Sequence, residues 1–203
     1  GKTLAIRFPK HRILNKLLNI IDYPLAAPSA NISTKLSSVK KDDVKEEFGN
    51  KIAYILDGGK STIGIESTII SLVNIPKVLR LGGLEVNKIE KVLKQTIKID
   101  INPHKRLAPG QSKIHYSPGV PLRINIIKPK KNEAFVLIRK RKTKSKHYYY
   151  LSKKNNLNEV AKNLYSCLRK IKNKGYKSIA VEEISNLGIG KSINDRLKRA
   201  SKF

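Results

Sequence analysis

The chain has 203 residues, 39% of them hydrophobic, enough for a buried core and, at about 100 to 200 residues per domain, for one or two domains; a disordered tail is excluded. Its 43 Lys and Arg against 15 Asp and Glu leave a formal net charge of +28, which points to polyanionic partners such as nucleic acid, nucleotides or an acidic surface, although Lys, Ile and Asn together are also what an A/T-biased genome supplies. The lone Cys167 excludes a disulfide-stapled scaffold and favours a reducing compartment, and no apolar run approaches the roughly 18 residues of a membrane span, so a cytoplasmic protein with no membrane partner is expected.

In chain order, Thr3 to Phe8 reads as a short apolar strand closed by Pro9. Ile13, Leu14, Leu17, Leu18 and Ile21 then fall at helical spacing, in a helix expected to stop near Pro24. Ala26 to Ser33 is a run of small and hydroxyl residues that reads as loop. A polar helix is predicted around Asp42 to Phe48, and a strand over Ile52 to Leu56 that runs into the turn Asp57-Gly58-Gly59. Strands over Ile65 to Val73 and Lys77 to Leu81 follow, with Gly82-Gly83 before a helix from Glu85 to Gln95. These elements form a first unit, residues 1–98.

Residues 99–121 lack periodicity and hold Pro103, Pro109, Pro118, Gly110 and Gly119, the composition of an extended linker. Beyond it, Leu122 to Ile127, Ala134 to Ile138 and Tyr148 to Leu151 read as strands. A helix with Val160, Leu164, Cys167, Leu168 and Ile171 on one face leads to a strand over Ser178 to Val181, and a last helix covers Lys191 to Ala200. Strands and helices are mixed, so the class is α/β or α+β, and the second part reads as a small α/β domain. Residues 122–203 hold 23 Lys and Arg against 5 acidic residues, and residues 1–98 hold 17 against 9. The second domain is therefore the more basic. Tyr148, Tyr149 and Tyr150 alternate faces in a strand, so at most two belong to one stacking platform.

Metal and nucleophile chemistry find little support. His11, His104, His115 and His147 stand at no ligand spacing, and no H-E-x-x-H or C-x-x-C pattern occurs. Cys167 lies on an apolar helix face and reads as a core thiol. Gly188-Ile189-Gly190-Lys191-Ser192 resembles a phosphate loop only in part and reads better as a turn opening the last helix. What remains is a set of hydroxyl, amide and guanidinium groups. Ser29, Asn31 and Ser33 share a loop, Ser37 and Ser38 follow, and Ser67-Thr68 interrupt an apolar strand. Such groups coordinate phosphate oxygens, and Arg clamps them bidentately. Arg7 and Arg80 end apolar strands, where a charge needs a partner or solvent. Singly, each of these residues is better explained by capping, turns or surface exposure.

Four segments stand in a telling order: Leu25 to Ser33 (LAAPSANIS), Ile55 to Gly59 (ILDGG), Gly64 to Ile70 (GIESTII) and Val78 to Gly82 (VLRLG). Together with Lys113 to Pro118 (KIHYSP) and Leu187 to Leu197 (LGIGKSINDRL), they resemble the YrdC-like family of threonylcarbamoyl-AMP synthases in its long, two-domain form. The resemblance implies a twisted open-sheet α/β catalytic domain, present in part, joined by the linker to a small Rossmann-like α/β domain at 122–203. It also implies conversion of L-threonine, bicarbonate and ATP to threonylcarbamoyl-adenylate and pyrophosphate, with Mg²⁺ accompanying ATP. The product would serve a threonylcarbamoyl transferase that modifies adenosine 37 of tRNA. No protein nucleophile and no protein metal site are expected.

Carried over by the same resemblance, Thr3 would meet ATP and Arg7 threonine. Ala27 and Ser67 would contact threonine, Ser29 and Ser37 ATP, and Arg80 the phosphates. Asn31 would line the nucleotide site. Tyr116 would fold over the nucleotide, making the linker a lid that excludes water. The chain departs from the family at Thr34, where Gly is usual, at Leu81, where Pro is usual, and at Gly119, where Lys is usual. The family's Lys-x-Arg strand, which lies upstream of the position of Arg7, is not in the sequence. With no Met anywhere, the chain is expected to begin inside a longer protein and to be inactive alone. The competing expectation is a non-catalytic RNA-binding module of the same fold, whose basic second domain tracks tRNA or double-stranded RNA.

Overall fold

The computed structural model describes residues 3–103, 107–112 and 114–202; His104 and Lys113, named above, lie outside the described residues. The first half carries α1 (Arg12–Leu18), α2 (Lys41–Phe48) and a short 3₁₀ turn at Gly49–Lys51. A three-stranded sheet follows, built from β1 (Ile69–Ser71), β2 (Lys77–Arg80) and β3 (Lys98–Ile99) in the order β1-β2-β3. β1 runs antiparallel to β2, and β2 parallel to β3. The β2-to-β3 crossover is made by α3 (Val86–Leu93), whose Val86, Ile89 and Leu93 pack on buried Val78, Leu81 and Ile97. That spacing of three and four is the apolar stripe of a surface helix.

Two of the expected strands do not form. Residues 3–8 have no regular structure, with Leu4 84%, Ile6 85% and Phe8 100% exposed. Residues 52–56 are likewise irregular, and Tyr54 is 92% exposed. A strand exists only where another chain segment accepts its ladder, and among the described residues neither segment has a strand beside it. The long strand expected over Ile65 to Val73 shrinks to β1 because the Ser67 carbonyl is taken by the Arg80 side chain and the Glu66 carbonyl by the Gly83 N–H. α1 stops at Leu18 rather than running to Ile21, and none of its residues is buried.

The second half is a parallel sheet of β4 (Leu122–Arg123), β5 (Ala134–Arg139), β6 (Tyr148–Ser152) and β7 (Ile179–Val181), in the order β4-β7-β5-β6. α4 (Leu157–Asn173) connects β6 to β7. The Asn156 side chain caps it by accepting from the N–H groups of Asn158 and Glu159. α5 (Gly190–Ala200) follows β7. Val160, Leu164, Leu168 and Ile171 face the sheet and are essentially inaccessible. The pleat alternates as expected: Tyr149 joins this core, whereas Tyr148 and Tyr150 pack beside Phe135 and Leu137 on the opposite face.

The same core draws in Leu36, Val39 and Ile65 from the first half and Tyr116 from the linker segment. Arg169 of α4 reinforces the join. It donates to the Leu36 carbonyl and lies 3.5 Å from a Glu47 carboxylate oxygen and 3.6 Å from one of Asp43. After β3 the described residues of the linker segment are irregular but held: Gln111 donates to the Leu79 carbonyl and accepts from the N–H groups of Leu107 and Ala108, and Ser117 forms a parallel bridge to Lys35.

Candidate functional site

Four of the sequence-predicted residues meet at the seam between the two halves. Arg80 ends β2 and is buried. Its Nε and Nη2 both donate to the Ser67 carbonyl, at 3.1 and 2.8 Å, and Nη1 donates to the Pro109 carbonyl at 3.4 Å. The Ser67 backbone is thus fixed while the residue stays exposed. The close approach of the two segments requires Gly82, since a Cβ there would lie 2.2 Å from the backbone of Ser67 and Thr68. Ser37 is buried and donates its hydroxyl proton to Glu66 Oε1 at 2.5 Å. Tyr116 is 1% exposed, lies 5.9 Å from and nearly parallel to the Tyr165 ring, and receives the Arg196 guanidinium 4.9 Å from its centroid. Its backbone takes φ 62, a left-handed value that costs a non-glycine residue free energy.

The hub of this arrangement is a pair without a role in the sequence reading, Glu66 and Arg196. Arg196, 1% exposed, donates from Nε to Glu66 Oε2 at 2.8 Å, from Nη1 to Asp195 Oδ2 at 2.7 Å and from Nη2 to the Leu81 carbonyl at 2.6 Å. The Tyr165 hydroxyl donates to the same Glu66 carboxylate. Two neighbours on α5 extend the grip: Ser192 donates to the Gly82 carbonyl, and Arg199 donates to the carbonyls of Ile101 and Ser112. One signal was available in the sequence. Arg196 shares the apolar stripe of α5 with Ile193, Leu197 and Ala200, where a cation needs a buried carboxylate; the carboxylate lies 130 residues away.

The electrostatics follow from this packing. Burial works to raise the Glu66 carboxyl, but Arg196 and the Ser37 hydroxyl outweigh it and hold the group below its ordinary value. Burial lowers Arg80, opposed by Tyr116 and Glu66. Burial also lowers His115, whose Nδ1 accepts from the Tyr116 N–H, and pushes the Cys167 thiol up to about 12, as a core thiol requires.

The other predicted residues lie apart. Thr3, Arg7, Ala27 and Ser29 are exposed. Asn31 is buried, donating to the carbonyls of Ile32 and Lys35, and its Oδ1 has no hydrogen-bond partner among the described residues. The Gly188-to-Ser192 stretch is the turn that opens α5, and Gly190 packs so tightly that a Cβ would collide with the Ser185 carbonyl. Among the described residues no group of three His, Cys, Asp or Glu is gathered to hold a metal, and no helix is long and apolar enough to cross a membrane.

Comparison with known proteins covers nearly the whole chain. The family described as telomere recombination matches residues 1–82, and the threonylcarbamoyl-AMP synthase C-terminal domain matches residues 84–202. The threonylcarbamoyl-AMP synthase of Pyrococcus abyssi is 35% identical over 225 residues, covering 99% of this chain and 64% of the relative. That of Bacillus subtilis is 32% identical, over 98% of the chain and 63% of the relative. That of Schizosaccharomyces pombe is 30% identical, over 98% and 57%. The crystal structure of P. abyssi Sua5 complexed with L-threonine superimposes with a TM-score of 0.84 at 32% identity, covering 97% of this chain and 63% of that one. The chain therefore spans 57 to 64% of the length of these curated relatives.

Proposed function

The chain belongs to the Sua5/YrdC family in its two-domain Sua5 form, and we propose that in the full gene product it supports the cytoplasmic synthesis of threonylcarbamoyl-AMP from L-threonine, bicarbonate and ATP, a nucleotidyl transfer. The threonine amine and bicarbonate form a carbamate with loss of water. A carbamate oxygen then attacks the α-phosphorus, and the bond to pyrophosphate breaks. Such a transfer asks the protein for positioning and charge neutralisation rather than a nucleophile.

The observation that carries this reading is the state of Arg80. Three of the five N–H groups of a guanidinium are engaged on the carbonyls of Ser67 and Pro109, which leaves two for an incoming phosphate. Because burial disfavours its charge, an arriving anion is stabilised there more than at a solvated cation. Ser67 would then present its hydroxyl to threonine, with Arg7 and Ala27 completing that subsite. Thr3, Ser29, Asn31 and Ser37 would serve the nucleotide, with Tyr116 at its cover, and Mg²⁺ would enter on the phosphates. The unit boundaries at 98 and 122 belong to the same proposal, with 99–121 as the covering linker.

The test is pyrophosphate release from ATP by the full gene product, with and without L-threonine and bicarbonate. Release that needs both co-substrates is expected, and Ser67→Ala and Arg80→Lys should each lower it by roughly 10²-fold in a folded protein, since Lys loses the fork geometry. Release indifferent to threonine, or none from a folded protein that binds ATP, would remove the reading. A second reading has one observation of its own: Arg139, Lys140, Arg141 and Lys142 line a cleft of about 600 Å³ at the carboxyl end of β5, a place for an RNA backbone such as that of tRNA. Binding there would fall steeply with salt.

A further inference from the structure

Three of the proposed substrate contacts, Ser37, Ser67 and Arg80, sit on separate segments, yet one side chain of the other domain is connected to all three. Arg196 reaches Ser37 through Glu66, which it grips on Oε2 while Ser37 donates to Oε1. It reaches Ser67 through the same carboxylate, because Glu66 is the preceding residue. It reaches Arg80 through the residue that follows, Leu81, whose carbonyl accepts from Nη2 at 2.6 Å. Its face also supports the Tyr116 ring. The guanidinium is 1% exposed, and each of its three nitrogens donates in a separate direction.

We propose that Arg196 is a positioning residue of the threonine and nucleotide site: α5 of the second domain, through this guanidinium, sets the spacing between Ser37, Ser67 and Arg80. The inference rests on the reading given under the proposed function and assigns the second domain a part in it. Only Arg suits the task. A Lys ammonium carries no planar fork and cannot hold a carboxylate and a carbonyl at fixed, divergent angles. Displacements of about 1 Å in such a frame cost on the order of 10²-fold in rate, so the effect falls on turnover although Arg196 touches no substrate. Asp195 holds the far side of the device, as it accepts from both Arg196 and Arg199.

The experiment compares the full gene product with its Arg196→Gln, Arg196→Lys and Arg123→Gln variants. Arg123 makes an equally well-formed pair with Glu133 in the same domain, away from the seam, at 2.6 Å. Pyrophosphate release and hydrogen exchange at residues 64–68 and 79–83 are read together. Arg196→Gln should lower kcat by about 10²-fold with KM values changed less than about threefold, and should speed exchange in both segments. Arg123→Gln should lower the melting temperature while leaving kcat and that exchange unchanged. Arg196→Lys, which keeps one charged hydrogen bond to Glu66, should recover part of the rate; it also serves should the Gln variant not fold. Full kcat with undisturbed exchange in a folded Arg196 variant overturns the proposal, as does an equal loss in Arg123→Gln. A wild type that releases no pyrophosphate overturns the functional reading instead, and the exchange measurement still decides whether Arg196 frames these segments.

Discussion

The two halves of the molecule use apolar residues in opposite ways. In the second half, Leu164, Ile171, Ile179 and Ile193 are wholly enclosed between a parallel sheet and its helices. In the first, Leu4, Ile6, Phe8 and Tyr54 are all more than four-fifths exposed, and α1 buries nothing. Both halves are supplied with apolar residues; what differs is the pairing that covers them. A parallel sheet flanked by helices satisfies its own backbone and covers its own faces. A segment such as residues 3–8 holds the same kind of side chains without a ladder to enter. Within the first half, β2, β3 and α3 build a small core of their own, whereas Leu36, Val39 and Ile65 are buried only by joining the core of the second, a join that Arg169 reinforces.

The largest effect should come from cutting that dependence. Arg169→Met leaves Asp43 buried without its cation and Glu47 with Lys35 alone, and the expected loss is about 3 to 5 kcal/mol in urea unfolding. A loss confined to the second half's own transition, with the first half unaffected, would break the comparison. Next, Leu164→Ala should cost about 2 to 5 kcal/mol, whereas Tyr54→Ala should stay within about 0.5 kcal/mol. Equal losses would mean that the exposed surface of the first half is covered in solution.

A smaller effect is confined to acid. Because the folded Glu66 carboxyl sits below its ordinary value of 4.5, its contribution is complete above that pH and fades as pH falls through the lower folded value. The stability gap between wild type and Glu66→Gln should therefore be constant near neutrality and close progressively below pH 4.5. A gap that persists in strong acid would show that Arg196 stabilises the site through shape rather than charge. The smallest effect is chemical: with its thiol raised to about 12, Cys167 should resist alkylation at pH 8 in the folded protein and react freely in urea.

Legibility in the sequence follows local signal rather than the division into halves: in the second half β4 is Leu122–Arg123, where the sequence predicts a strand to Ile127. α2, β2, β5, β6, β7 and α5 lie within one or two residues of their expected bounds, and α4 forms around its expected apolar face, because a 3.6-residue stripe and a short run of β-branched and aromatic residues are local signals. The strands expected at 3–8 and 52–56 carry the same local signal but lack a neighbour, and pairing is not written in a single segment. At the site, Ser37, Ser67, Arg80 and Tyr116 were nameable from their motifs. That they converge on one guanidinium was not, since Glu66 and Arg196 meet only through the packing of α5 across the seam.

A serine hydroxyl has one hydrogen bond to donate, and in this structure Ser37 donates it to Glu66. A nucleotide oxygen that needs a donor at Ser37 must therefore displace the carboxylate as its acceptor, leaving Glu66 to Arg196 and Tyr165. In the proposed site, arrival of the nucleotide and redirection of that single hydrogen bond are one event, and α4 and α5, which carry Tyr165 and Arg196, are the parts of the second domain that touch the carboxylate it releases.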